Sequence, residues 1–320
     1  MATARSRLVC PDVTPYYHCV SRCVRRSFLC GEDALTGRSF EHRRDWIEQR
    51  ILTLATYYCV DVYAYAVMSN HYHLVVSLNQ QQALALSDRD VVERWCVEHK
   101  MPLMIKSWLA GELLTDAQKT WCDETITEWR ERLCSLSWFM KELNYGIAVQ
   151  ANKEDDCTGR FWEGRFKSQA LLDEKALLSA MAYVELNPVR AEMVSTPEEA
   201  KHTSLRARLD ALEQGKTHVQ GLANFVGNLE ADNTIGIPFR LLDYLELVDW
   251  VGRHARESSA GYIAASTPNI LTRLAFCDYQ CLTLCTRLEQ ETNIWVGAAH
   301  KLEHAKKTLN KQRITGFQIS

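Results

Sequence analysis

Val67-Met68-Ser69-Asn70-His71-Tyr72-His73-Leu74-Val75-Val76 is the stretch on which the reading of this chain turns. Side chains alternate faces along a strand, so His71 and His73 point to one side while Tyr72, Leu74, Val76 and Leu78 point to the other. The apolar side can pack on helices, and the other carries two imidazoles that could share one metal ion. Met68-Ser69-Asn70 makes a short turn between this strand and residues 60–67, which predicts a hairpin. A lone histidine is more often structural than a ligand. A His-x-His pair on an open strand face is the better ligand candidate, but it needs partners from elsewhere.

The partner stretch is Ala182-Tyr183-Val184-Glu185-Leu186-Asn187-Pro188-Val189-Arg190. A helix leads into it, with Asp173 as candidate N-cap followed by Glu174, Lys175, Ala176, Leu177 and Leu178. Pro188 disfavours further helix and marks its end. Tyr183 and Asn187 are four apart and share one helix face. Two readings stay open from these residues alone. Tyr183 is a packing tyrosine and Asn187 a C-cap, although a following proline makes a simple cap less natural. Alternatively, a phenol and an amide oxygen project together toward a site.

Taken in order, several segments resemble the single-tyrosine HUH transposases, in particular the REP-associated tyrosine transposase branch. Tyr17-His18-Cys19-Val20-Ser21-Arg22 resembles the first strand of that family. Tyr65 through Leu74 resembles its second and third strands with the HUH motif, Tyr72 being the bulky residue. Ser137-Trp138-Phe139-Met140-Lys141 resembles the next helix, Gly159 through Ser168 the Trp-x-x-Arg-Phe segment, and Tyr183 through Arg190 the nucleophile helix with its Asn-Pro-Val end. The matched region runs from about residue 15 to 194. The resemblance implies that His71 and His73 are metal ligands, Asn187 a third ligand or orienting group, and Tyr183 the nucleophile. It implies Mg or Mn, with zinc left open by two imidazoles, and a single-stranded, hairpin-forming DNA substrate. It further implies a monomer or homodimer, nucleoid-associated when bound to DNA, while the sequence, without a signal-peptide core or membrane run, predicts a cytoplasmic protein.

Composition sets the frame for this reading. The chain has 320 residues, 47% hydrophobic and 24% charged, which describes a globular protein rather than a disordered one. No apolar run has the length of a membrane span, and the N-terminus lacks the apolar core of a signal peptide. Its 12 cysteines are dispersed, without a Cys-x-x-Cys pair. Cys277, Cys281 and Cys285 form a helical stripe better suited to packing than to zinc. A net charge of −3 does not advertise a nucleic-acid binder. DNA contacts therefore require local charge: Arg22, Arg25 and Arg26 after the first strand, and Arg160, Arg165 and Lys167 around Phe161, Trp162 and Phe166. That second mixture suits phosphate contacts with base stacking, or else a solvated loop held by apolar anchors. His18 shares a strand face with Arg22 and is a further DNA-contact candidate.

The predicted element order is β-α-β-β-α-β-α: an α+β fold with a ferredoxin-like split βαβ HUH catalytic domain over residues 1–194. Helices are expected on one sheet face, with the other open to nucleic acid. Residues 80–133, rich in tryptophan and helix formers, predict a helical insertion. Residues 195–320 predict a mostly helical C-terminal extension, clearest over 241–251. Four readings compete. A transposase would cleave and rejoin single-stranded DNA through a 5′-phosphotyrosine. A metal-dependent phosphodiester hydrolase would use the histidines without Tyr183, and a non-catalytic relative would only bind DNA hairpins. A replication-initiator or relaxase-type HUH enzyme is less favoured by the motif order.

Overall fold

The computed structural model describes residues 9–24, 29–32, 37–227, 236–257, 268–288 and 294–319. Arg25 and Arg26 lie outside them, as does most of the loop expected over 227–237. The chain runs β1 (Tyr16–Arg22), α1 (Arg43–Tyr57), β2 (Val60–Val67), β3 (His71–Leu78), α2 (Gln80–Ala85), α3 (Asp88–Trp95), α4 (Leu103–Leu109) and α5 (Asp116–Leu133). It continues with α6 (Leu136–Glu154), β4 (Lys167–Leu171), α7 (Glu174–Glu185), α8 (Asn187–Arg190), α9 (Ser204–Glu213) and α10 (Leu241–Glu257). Then follow α11 (Asn269–Arg273), α12 (Asp278–Arg287), β5 (Trp295–Ala298), α13 (Ala299–Thr308) and β6 (Gly316–Ile319). This is a mixed α+β architecture. No described helix is long and apolar enough to cross a membrane.

The six strands form one sheet in the order β2-β3-β1-β4-β5-β6. β1 lies antiparallel between β3 and β4, and β2 is antiparallel to β3. β4, β5 and β6 are mutually parallel neighbours. Alternation sends Tyr17 and Cys19 of β1, and Tyr72, Leu74 and Val76 of β3, into one core with Ile47, Ile51 and Leu54 of α1 and Phe139, Met140 and Leu143 of α6. In β2 that face is served first by Val60 and Val62 and then by Tyr65 and Val67. The switch from even to odd positions is made by a register shift between Val62 and Ala64, where a bulge adds one residue.

The second face is not open. Tyr63, Ala64, Ala66 and Val75 pack there against α7, together with Tyr244, Leu247 and Val251 of α10 and Leu284 and Cys285 of α12. The expectation of one free sheet face is corrected here, because α7 is apolar nearly all round and is buried from Ala176 to Glu185. The C-terminal segment also adds two strands to the expected helices. β5 and β6 have only four residues each, too short for an alternation to be read. Cys281 and Cys285 are buried in this core with sulfurs 3.8 Å apart, and Cys277 is exposed.

The helix ends before Pro188 as expected, and one further helical turn then follows. Leu186 (φ −84, ψ −3) ends α7 and caps α8, which carries Pro188 in its first turn. There a missing N–H costs little, because first-turn amides lack a helical acceptor in any case.

The insertion has its own core of Val91, Val92, Trp95, Ile105, Cys122, Ile126 and Trp129. Its two ends meet at Cys59, whose carbonyl accepts from Asn79 N at 3.0 Å and whose N–H donates to Leu133 O at 2.8 Å.

Candidate functional site

β3 turns His71 and His73 toward α7, and the register sets β1 beside them, with Arg22 opposite His71 and Val20 opposite His73. α7 is fixed at both ends. At its start Asp173 Oδ1 accepts from Ala176 N at 2.9 Å, and Oδ2 accepts from Ala298 N of β5 at 2.6 Å. Near its end the buried Glu185 carboxylate accepts from the Ser204 hydroxyl and, at 3.0 Å, from Leu205 N. Burial pushes the Glu185 carboxyl up to about 7 against these hydrogen bonds and the nearby Arg208 charge.

A chain of hydrogen bonds assigns the histidine tautomers. Gln169 Nε2 donates to Leu288 O at 3.1 Å, which turns its Oε1 toward His18 Nδ1, 2.8 Å away. An amide oxygen only accepts, so His18 Nδ1 carries the proton. Neutral His18 then offers a lone pair from Nε2 to His73 Nδ1, at 3.0 Å, and His73 in turn exposes a lone pair at Nε2. Likewise, Asn70 Oδ1 lies 2.5 Å from His71 Nδ1, leaving His71 Nε2 as acceptor. The two Nε2 atoms stand 3.0 Å apart. Two lone pairs meeting at that distance repel unless a proton or a cation lies between them. Burial holds His73 well below the usual imidazole range, and the neighbouring bases His71, His18, Arg190 and Arg22 act in the same direction. His73 is therefore neutral, the state a metal ligand needs.

The helix completes the group. The Asn187 amide lies 2.7 Å from His73 Nε2, and turning it by 180° would present Oδ1 to the same point. Tyr183 packs edge-on to both buried rings, with centroids 5.7 Å from His73 and 5.9 Å from His18. The Arg190 guanidinium lies 4.6 Å from the Tyr183 ring centroid. Tyr183 is only 2% exposed and His18 1%. His18, expected as a DNA contact, therefore has no surface to offer in this arrangement and stands behind His73.

The basic residues divide. Arg22, Arg165 and Lys167, with Val20, Glu163 and Gly164, line a pocket of about 250 Å³ beside β1 and the start of β4. Val20 joins the site to this pocket, pairing in register with both His73 and Lys167. Arg160 is exposed and is not among the residues lining this pocket. Phe161 and Trp162 are buried, and Trp162 Nε1 donates to Asn144 O at 2.8 Å. The expectation that these aromatics stack bases is corrected: they are the apolar anchors of the loop.

Sequence reading missed Gln169 and Arg190. Gln169 pairs with His18 only through the β1–β4 register, which no local pattern reveals. Arg190 is three residues from Asn187 and seven from Tyr183, a spacing that becomes meaningful once α8 follows α7. A second group, Asp45, Glu48 and His202, brings one ligand atom each within 4.8 Å and could hold a cation. Its atoms are already engaged, with His202 Nδ1 3.0 Å from Glu48 Oε2 and the Tyr65 hydroxyl donating to Glu48 Oε1. Asp45 is exposed.

No protein-family description matches this chain, and no curated protein matches it in sequence. A solved structure described as "Structure of the REP associates tyrosine transposase bound to a REP hairpin" is similar to it at a TM-score of 0.36 and 13% identity. That similarity covers 69% of this chain and 92% of the other. It is distant and carries no argument by itself.

Proposed function

We propose that this protein is a DNA transposase-like enzyme that cleaves and rejoins single-stranded, hairpin-forming DNA, with Tyr183 as nucleophile. One observation carries the reading. Two histidines from β3 and an asparagine from α8 meet at His73 Nε2, with the Tyr183 ring of α7 packed against His73, next to a basic pocket. The β2-β3-β1-β4 order, with β1 antiparallel to both neighbours, supports a split βαβ catalytic domain of the HUH type within residues 1–194.

The residues fit a divalent cation. The Nε2 atoms of His71 and His73 stand 3.0 Å apart with the Asn187 amide 2.7 Å from His73, close enough for all three to turn donor atoms onto one ion. His71, His73 and the Asn187 amide oxygen would hold the ion, Mg or Mn. When bound, it supplies polarisation of the phosphate and stabilisation of charge in the transition state. The remaining work belongs to the chain. Gln169 and His18 hold His73 in the tautomer that faces the site. Arg22, Arg165 and Lys167 hold flanking backbone phosphates. Attack by the Tyr183 oxygen forms the tyrosine O–P bond of a 5′-phosphotyrosine as the P–O3′ bond breaks; the phenol gives up its proton and the departing 3′ oxygen takes one up to leave as a hydroxyl. Because the diester bond is conserved rather than hydrolysed, a second 3′-hydroxyl can reverse the step. Tyr183 is buried, so α7–α8 must shift to admit the scissile phosphate.

The test is incubation of labelled hairpin DNA with Mg or Mn, comparing wild type with Tyr183→Phe on a denaturing protein gel. A metal-dependent covalent adduct in wild type alone supports the reading. Cleavage that persists in the variant points to a hydrolase, and hairpin binding without cleavage by wild type to a non-catalytic module.

A further inference from the structure

We propose that Arg190 forms, with Tyr183, an anchor for an oxygen of the reacting phosphate. Its assignment to DNA strand transfer rests on the function proposed above; its affinity for a phosphate-like anion does not.

Arg190 ends α8 with its guanidinium over the Tyr183 ring, 4.6 Å from the centroid. Its Nη1 is buried and has no hydrogen-bond partner, and among the described residues Arg190 makes no ion pair with a carboxylate. The buried arginines Arg43 and Arg208 are matched, whereas half-buried Arg190 leaves its buried Nη1 without a partner. Arg43 pairs with Glu154 at 2.7 Å and with Asp155. Arg208 donates to the carbonyls of Tyr63 at 2.9 Å and Ala223 at 3.2 Å. A structural arginine at position 190 would have a partner of that kind. Around it the site also gathers His73, whose Nε2 lies 3.0 Å from His71 Nε2, and the Asn187 amide 2.7 Å from His73, with no carboxylate among these contacts. A buried, unmatched guanidinium N–H beside a phenol calls for an anion. A guanidinium presents its donors as a planar fork, which fits the oxygens of a phosphate. Held against the tyrosine face, that fork would meet the phosphate at the atom Tyr183 attacks and would follow it onto the phosphotyrosine.

Two measurements test this. In the first, adduct formation at saturating hairpin DNA is timed for wild type, Arg190→Lys, Arg190→Gln and Arg190→Ala. The expected result is a loss of about 100-fold or more in Arg190→Gln and a smaller loss in Arg190→Lys. Partial rescue of Arg190→Ala by millimolar guanidinium is also expected, which a purely structural role would not give. In the second, tungstate is titrated calorimetrically into wild type and Arg190→Gln. One anion should be lost in the variant. Equal adduct rates together with equal tungstate binding would overturn the anchor while leaving strand transfer standing. Absence of any wild-type adduct with tungstate binding that still depends on Arg190 would overturn strand transfer and leave the anchor standing.

Discussion

Gln169 decides which nitrogen of His73 faces the site. Its amide is fixed by Leu288 O at 3.1 Å, and the proton order along Gln169, His18 and His73 follows from that one contact. Replacing it by leucine removes the acceptor for His18 Nδ1 and lets His18 and His73 exchange tautomers. Metal affinity is expected to fall about 10- to 100-fold with the fold retained, as read by Mn titration and circular dichroism. Unchanged Mn affinity would count against the tautomer chain. The legibility of the site divides along the same line. His71 and His73 could be found because a strand's period is two, and Tyr183 and Asn187 because a helix brings i and i+4 together. His18 and Gln169 meet through a cross-strand register set by the whole sheet, so their relation to His73 is absent from local sequence.

α7 carries both the candidate nucleophile and a buried carboxyl that pins it to α9. Glu185 sits near pH 7 rather than at its ordinary 4.5, chiefly because burial disfavours its charge. Between those values the unfolded chain ionises Glu185 while the folded one keeps the proton. Stability is therefore full below about pH 4.5 and declines as pH rises through 7, by up to about 3 kcal/mol for this group. Glu185→Gln keeps hydrogen-bonding capacity toward Ser204 and Leu205 without the charge. The variant is expected to flatten the fall in urea midpoint between pH 5 and 7.5; an unchanged slope would assign the pH dependence to another group. The start of α7 was legible from Asp173, whose carboxylate caps Ala176 at 2.9 Å. Its end before Pro188 was legible too; the extra turn α8 was not, because Pro188 is tolerated in the first turn of a new helix, and so Arg190 was left outside the site.

The molecule is one sheet covered on both faces, and the border expected near residue 194 does not separate two cores. Tyr244, Leu247, Val251 and Leu284 are all buried in the cluster that holds Leu177, Met181 and Tyr183. Each large apolar side chain contributes roughly 1.5–3 kcal/mol on burial, against about 5–15 kcal/mol for a whole domain. A chain ending at Val194 is expected to lose cooperative unfolding; a sharp thermal transition in that fragment would restore the two-domain view. The insertion behaves differently, having its own core and both ends at Cys59. Replacing residues 82–132 by a short Gly-Ser linker should preserve folding and Tyr183-dependent adduct formation, measured by thermal melting and the gel assay. The insertion was legible from its density of tryptophans and helix formers. The sheet's last two strands were not, because four-residue strands depend on neighbours already in place for their hydrogen bonds.

The most direct test of the central claim is to digest the covalent protein–DNA product and identify the modified peptide by mass spectrometry. A nucleotide 5′-phosphate on Tyr183, formed only with Mg or Mn and absent in His73→Ala, is the expected result. Attachment at another residue, or cleavage that leaves a free 5′-phosphate and an unmodified Tyr183, would contradict it.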